Sequence, residues 1–184
     1  VVLTARSADE IEAAAQAIRA AGGKADAVVL DVLDLAATER FIASRGPFQV
    51  LVNNAGTNRP AALLDVTEAD YDAVAEINIK AALFVAKAVA KGLLEARLPG
   101  SIINVSSQMG HVGGPKRAVY CATKHAVEGF TKAMAIELGA NGIRVNTICP
   151  TFIRTAMTET TFQDPLMRAV IEEKIALGRV GQVE

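Results

Sequence analysis

The sequence predicts a doubly wound α/β fold, a parallel sheet wrapped by helices, built as a single domain over residues 1–184, and three observations predict it. Short apolar runs alternate with longer helical stretches. Each run leaves through a polar or Gly-rich segment. There are no repeats, low-complexity tracts or linkers that would divide the chain. Right-handed crossovers between such runs force parallel strands, expected to be covered by helices on both faces.

Val1 to Ala5 reads as the first strand; with no Met and no lead-in before it, a fragment of a longer chain is expected. Ser7-Ala8-Asp9-Glu10 sets a Glu three residues after a Ser, the pairing that caps a helix start. The Ala-rich helix it opens should end at Gly22-Gly23. Ala27 to Leu30, closed by Asp31, is long enough for a fully buried strand and too short for a helix. Leu35 to Arg45 reads as a second helix, Val50-Leu51-Val52 as a third buried strand, and Asn53-Asn54-Ala55-Gly56 as the loop that leaves it. Thr67 caps a helical stretch from Glu68 to about Leu98, in which Val74, Ile77, Ala81, Val85 and Val89 recur as one buried face requires, and Pro99-Gly100 stops it. Ile102 to Val105 is strand-like, a loop runs through Gly110, Gly113 and Gly114, and Ala118 to Gly139 resumes the helical period. Ile143 to Ile148 is the next strand, broken by Pro150, and after a polar loop Gln163 to Leu177 reads as one last helix.

Of 184 residues, 51% are hydrophobic and 21% charged, enough for a sizeable core. The 19 basic and 20 acidic residues leave a net charge of -1, which removes the broad basic field used on nucleic acid or anionic membranes. No apolar run approaches the ~20 residues that span a bilayer. A cytoplasmic protein is expected, with neither nucleic acid nor membrane as partner. Cys121 and Cys149 are too few for a disulfide framework, no Cys/His cluster has metal-ligand spacing, and both read as small buried side chains.

In such sheets ligands sit beyond the carboxyl ends of the strands, so the residues after each strand carry the functional reading. Tyr120 and Lys124 stand four apart in one helix and share a face. A free phenol titrates near pH ~10, so its use as a base at neutral pH calls for a cation beside it. Taken alone, that spacing is common on solvated helix faces. Ser107, at the exit of the preceding strand, has a hydroxyl suited to a substrate oxygen, although Ser106 and Ser107 also read as a turn cap. Asn78 is an amide in an otherwise apolar helical stretch, which must either face water or find a partner inside.

Taken together, Asn53-Asn54-Ala55-Gly56, Asn78, Ser107, Tyr120-Cys121-Ala122-Thr123-Lys124 and the stretch from Pro150 to Thr155 resemble the short-chain dehydrogenase/reductase family, in order and in spacing, over essentially the whole chain. The nearest look is the compact tetrameric subgroup that includes 3-oxoacyl-carrier-protein reductases and sugar or polyol dehydrogenases. The resemblance implies a Rossmann-like fold, a homotetramer, and hydride transfer between a nicotinamide cofactor and a carbonyl or secondary alcohol. It makes Tyr120 the general acid/base, Lys124 the residue that assists it and holds the nicotinamide ribose, Ser107 the oxygen-binding serine, and Asn78 the anchor of a proton-relay water. It also makes Asn53, Ala55 and Gly56 a loop near the adenine ribose, Asp31 and Val32 an adenine-side pair, and Pro150, Ile153 and Thr155 the carboxamide-side loop.

The position where a ribose-reading carboxylate would favour NAD is Ala5, and Arg6 beside it, with Ser7, can meet a 2′-phosphate, so NADP is expected over NAD. The family's Gly-rich Thr-Gly-x-x-x-Gly-x-Gly turn with its strand, and its last strand, are expected outside these residues, which would leave the strands at Val1 and Val50 unjoined. Thr151 stands where the family usually has Gly. Gln108, Met109, His111, Phe152, Arg154 and Met157 are the candidate substrate lining, with no metal expected. A sugar acid, a polyol and an acyl thioester all remain open. A dinucleotide-sensing regulator would not need the four residues Asn78, Ser107, Tyr120 and Lys124 together, and longer epimerase or dehydratase relatives would add a large domain after the strand that ends at Ile148.

Overall fold

The computed structural model describes residues 1–183, without the side chains of Ala156, Met157 and Thr160. The expected place of Met157 in the substrate lining therefore lies outside the described residues. Strand β1 (Val2–Ala5) leads into helix α1 (Ala8–Ala20), then β2 (Asp26–Val29), α2 (Leu35–Arg45) and β3 (Val50–Asn53). Helices α3 (Glu68–Ala75) and α4 (Ala82–Ala96) follow, then β4 (Gly100–Val105), α5 (Ala118–Gly139), β5 (Ile143–Ile148), α6 (Ala156–Phe162) and α7 (Pro165–Glu173).

Every pairing is parallel. β1 pairs with β2, and β4 lies between β3 and β5. Among the described residues β1 and β3 share no ladder, so the strands form a two-stranded and a three-stranded sheet. The register of the larger sheet aligns Leu51 with Ile102 and Val145 on one face. That face meets α2, α4 and α5 and forms the main core, with Ile42, Val85, Ala86, Val89, Ala90, Leu93, Ile102, Ile143 and Val145 buried. The full burial of the early strands, expected from the sequence, is corrected here. Val50 is 63% exposed, Val52 58% and Val29 59%, because apolar strand residues are buried only where a helix or another strand covers them, and nothing among the described residues covers these positions.

The caps explain where most helices begin. Ser7 Oγ accepts from the Glu10 amide at 3.5 Å, Asp34 Oδ1 from Ala37 at 2.9 Å and Thr67 Oγ1 from Asp70 at 3.1 Å, each satisfying an amide that has no partner in its helix. Two expectations are corrected. The stretch from Glu68 to Leu98 is α3 and α4 joined by a π-helical turn, Glu76–Ala81, and the chain leaves α4 through Arg97 in the left-handed region (φ 54°). The polar loop and single last helix are instead α6 and α7. Asp164 caps α7 with Pro165 in its first turn, which breaks any continuous helix at that point. Among the described residues no helix is long and apolar enough to cross a membrane.

Candidate active site

Parallel strands send all their exits to one edge. Arg6, Ser7, Asp31 and Val32 follow β1 and β2 at the edge of the smaller sheet. Asn53 to Gly56, Ser107 and Pro150 follow β3, β4 and β5 at the edge of the larger one. Arg6 is exposed, and no carboxylate among the described residues pairs with it. Ser7 caps α1, and Asp31 accepts from the Leu33 amide at 3.0 Å.

Asn78 is 1% exposed, so it is no surface amide. Ile77, which a 3.6-residue period places on the buried face, is only half-buried. Asn78, four residues after Val74 and three before Ala81, takes the inward position within the π-helical turn. Its Oδ1 accepts from the Thr57 amide at 2.8 Å. Its Nδ2 donates to the Thr57 carbonyl at 2.9 Å and to Thr123 Oγ1 at 3.1 Å. The helix is thereby tied both to the loop after β3 and to α5. Gly56 lies against this knot: a Cβ there would stand 3.2 Å from Asn78 Oδ1 and 3.8 Å from Lys124 Nζ.

Lys124 is 6% exposed. Its ammonium donates to the Val105 carbonyl at the end of β4 at 2.9 Å and stands 5.6 Å from the centre of the Tyr120 ring. Burial holds the Lys124 pKa below the ordinary lysine range, with the nearby Cys149 thiol acting in the opposite sense. Tyr120 and Lys124 thus meet on one face of α5, as their spacing predicts. Ser107 is buried, and its Oγ accepts from the Met109 amide at 3.1 Å. Gln108 donates its amide to the Pro150 carbonyl at 3.0 Å, which brings the loops after β4 and β5 together.

Other expected site residues are engaged in the scaffold. Asn53 Nδ2 donates to the Ala82 carbonyl at 2.7 Å and to Asn104 Oδ1 at 3.2 Å, and Asn104 Nδ2 reaches Thr131 Oγ1 at 2.9 Å. That buried amide row locks β3, β4 and α5 in register, and only its first member stood out in the sequence. Phe152 packs edge-on to Phe162 at 6.3 Å, Arg154 lies over the Phe162 ring at 5.6 Å, and Ile153 bridges to Gly181. Thr155 caps α6 through Thr158.

Sequence reasoning missed the cluster behind Ser107. His111 Nε2 lies 3.4 Å from Cys149 Sγ, and Cys149 Sγ lies 3.2 Å from Glu128 Oε1. Burial pushes the Glu128 carboxyl up, but hydrogen bonds from Ser106, Cys149 and Thr147, with His111 beside it, hold it below its ordinary value overall. Burial, with the Glu128 carboxylate adjacent, pushes the Cys149 thiol up. No local pattern joins residues 111, 128 and 149; only the i+4 step from Lys124 to Glu128 hinted that the same helix face carries further polar groups. Gly110 makes this packing possible, since a Cβ there would stand 2.9 Å from Ser106 Oγ, 3.0 Å from the Lys124 carbonyl and 3.1 Å from Glu128 Cγ. Gly110→Ala is accordingly expected to cost about 1–3 kcal/mol and to lower Tm by several degrees, read by thermal unfolding. An unchanged Tm would mean that the loop yields without cost.

Residues 1–166 match the family described as short chain dehydrogenase. The chain belongs to that family. Human L-xylulose reductase is 41% identical over 157 residues, which cover 85% of this chain and 64% of that protein. This short-chain dehydrogenase chain therefore spans just under two thirds of the curated relatives it matches first. A crystal structure from Agrobacterium tumefaciens with bound NADP, provisionally assigned as a 2-deoxy-d-gluconate 3-dehydrogenase, superposes with a TM-score of 0.94 at 38% identity, over 99% of this chain and 73% of that one. The gluconate 5-dehydrogenase of Burkholderia cenocepacia J2315, in complex with NADP and tartrate, gives 0.90 at 32% identity, over 99% and 72%. The Rossmann-like α/β fold expected from the sequence is thus the fold of this short-chain dehydrogenase chain.

Proposed function

We propose that this chain is the core of an NADP-dependent oxidoreductase that interconverts a carbonyl and a secondary alcohol on a sugar or polyol, with Tyr120 as general acid/base. The observation that carries the reading is the pairing of Tyr120 with a buried Lys124 ammonium on the helix face beside the exits of β3 and β4. The names of the relatives, a xylulose reductase and two gluconate-type dehydrogenases, favour a polyhydroxylated substrate over an acyl thioester.

A dinucleotide fits the residues at the strand exits. The backbone at Gly56 is bare where a Cβ would crowd Asn78, and Arg6 and Ser7 offer donors that no carboxylate among the described residues occupies. Arg6 and Ser7 would hold the adenosine phosphate, Asp31, Val32 and Ala55 the adenine side, and Lys124, Pro150, Ile153 and Thr155 the nicotinamide side. When bound, the nicotinamide supplies or accepts the hydride. The chain does the rest. Ser107 holds the substrate oxygen, Tyr120 gives that oxygen its proton in reduction or removes it in oxidation, and the Lys124 charge favours the deprotonated form of the phenol. Asn78 keeps Thr57 and Thr123 fixed around Lys124. Gln108, Phe152 and Arg154 border the substrate side.

Reduction of a panel of ketoses, keto-acids and 3-oxoacyl thioesters by the full-length protein, with NADPH and with NADH, tests this reading. Turnover of the polyhydroxylated carbonyls is expected, and turnover of the thioesters alone would overturn the substrate class. Arg6 carries the cofactor preference. One partly exposed charged contact is worth about 1.5–3 kcal/mol, so Arg6→Ala should lower the NADPH-to-NADH affinity ratio by about one to two powers of ten. Equal losses for both cofactors would remove Arg6 from that role. Phe84 and Ile136, 41% and 83% exposed on α4 and α5, together with the Ala-rich surfaces of these helices, support association into a homotetramer. Light scattering of the full-length protein should return four subunits, and a monomer at micromolar concentration would refute it.

A further inference from the structure

His111, Glu128 and Cys149 come from three separate elements: the turn after Ser107, α5 one helical turn beyond Lys124, and the residue that follows β5. Their donor atoms all lie within 4.8 Å of one another. The distances are 3.4 Å from His111 Nε2 to Cys149 Sγ, 3.2 Å from Cys149 Sγ to Glu128 Oε1, and 3.6 Å from His111 Nε2 to Glu128 Oε2. A zinc ion bonded at about 2.3 Å to sulfur and about 2.0–2.2 Å to nitrogen and oxygen holds tetrahedral donors about 3.3–3.6 Å apart. The sulfur and nitrogen meet different oxygens of Glu128; with one donor atom from each residue, all three lie within 4.8 Å of one another, and a rotation of the carboxylate is what would bring them to that spacing.

Glu128 points to a cation independently. It is only 7% exposed, its oxygens accept from the neutral Thr147 hydroxyl and Cys149 thiol, and among the described residues no Lys or Arg nitrogen lies within 4.0 Å of it. Those neutral donors keep the carboxylate ionised without neutralising it, so a buried negative charge is left for a metal ion to take up. Sulfur and imidazole together exclude hard cations such as magnesium and calcium and select a borderline-soft divalent ion. His111, with 53% of its side chain exposed, leaves a path for the ion to enter.

We propose that His111, Glu128 and Cys149 form a binding site for a divalent cation of the zinc class, with a fourth position open on the His111 side. Binding replaces the Cys149 thiol proton, which passes to solvent, with a metal–sulfur bond. The ion clamps the loop after Ser107 to α5 and to the end of β5, so it would stiffen the neighbourhood of the proposed substrate site without touching Tyr120 or Lys124. His111 is then a metal ligand rather than a substrate contact.

Titration of the full-length protein with Co²⁺, followed by absorption, tests the site without recourse to activity. A thiolate-to-cobalt charge-transfer band should saturate at one ion per chain, be displaced by Zn²⁺ and be unaffected by excess Mg²⁺. Cys149→Ala should abolish the band, while Cys121→Ala, which removes the other thiol, should leave it intact. His111→Ala, at an exposed position that does not endanger folding, should weaken cobalt binding about ten-fold or more. Absence of the band in the wild type, its persistence in Cys149→Ala, or unchanged affinity in His111→Ala would overturn the proposal.

Discussion

Tyr120→Phe is expected to leave a folded protein that binds NADPH with close to wild-type affinity and turns over about two to four powers of ten more slowly. The change removes one oxygen and keeps the ring that Lys124 Nζ approaches at 5.6 Å, so the packing of α5 should survive. Binding is expected to hold because, in the proposed arrangement, the cofactor contacts come from the strand exits and from Lys124. What is lost is the group that the proposed mechanism uses to give or take a proton at the substrate oxygen. The loss should therefore appear in kcat and in kcat/KM by a similar factor, the signature of an interaction made in the transition state. Steady-state kinetics with fluorescence binding of NADPH would read both quantities. Near-normal turnover would transfer the acid/base role to another residue.

How much of this was legible in the sequence depended on whether the deciding contacts were local. Helices α2 and α5 and strand β5 have the bounds that caps, period and alternation assign them, because each is set by residues within a turn or a strand of one another. The pairing of Tyr120 with Lys124 was legible for the same reason. The π-helical turn at Asn78 was not, since apolar residues three and four apart fit one continuous helix, and the amide on that face was the only sign that the turn differs. The break before α7 was legible but overlooked: Asp164 followed by Pro165 is a cap with Pro in the first turn. The exposure of Val50 and Val52 could not be read from their run, because burial belongs to whatever lies across the sheet and not to the strand. Nor could the row Asn53, Asn104 and Thr131, or the cluster of His111, Glu128 and Cys149, whose members are brought together only by the parallel register of β3, β4 and β5.

Replacing Lys124 with Met should separate what the ammonium does for catalysis from what it costs the fold. Methionine is of similar length and carries no charge, so turnover is expected to fall by about two to four powers of ten at any pH at which the enzyme is folded. Stability should change in a pH-dependent way whose sign follows from burial. Desolvation lowers the Lys124 pKa in the folded state below its value in the unfolded chain. Between the lowered value and the ordinary lysine range, the unfolded chain binds more protons than the native state, so the stability of the wild type rises with pH across that window. Below the window the penalty for burying the charge is fully present, offset in part by the charged hydrogen bond to the Val105 carbonyl, a contact worth about 1.5–3 kcal/mol. The Met variant has nothing to titrate there. Urea unfolding of both proteins near neutrality and again in the alkaline window should therefore show the wild type gaining on the variant as pH rises. A difference that does not move with pH would mean that the Lys124 ammonium is not desolvated in solution, and retained turnover in the variant would remove it from the proton chemistry.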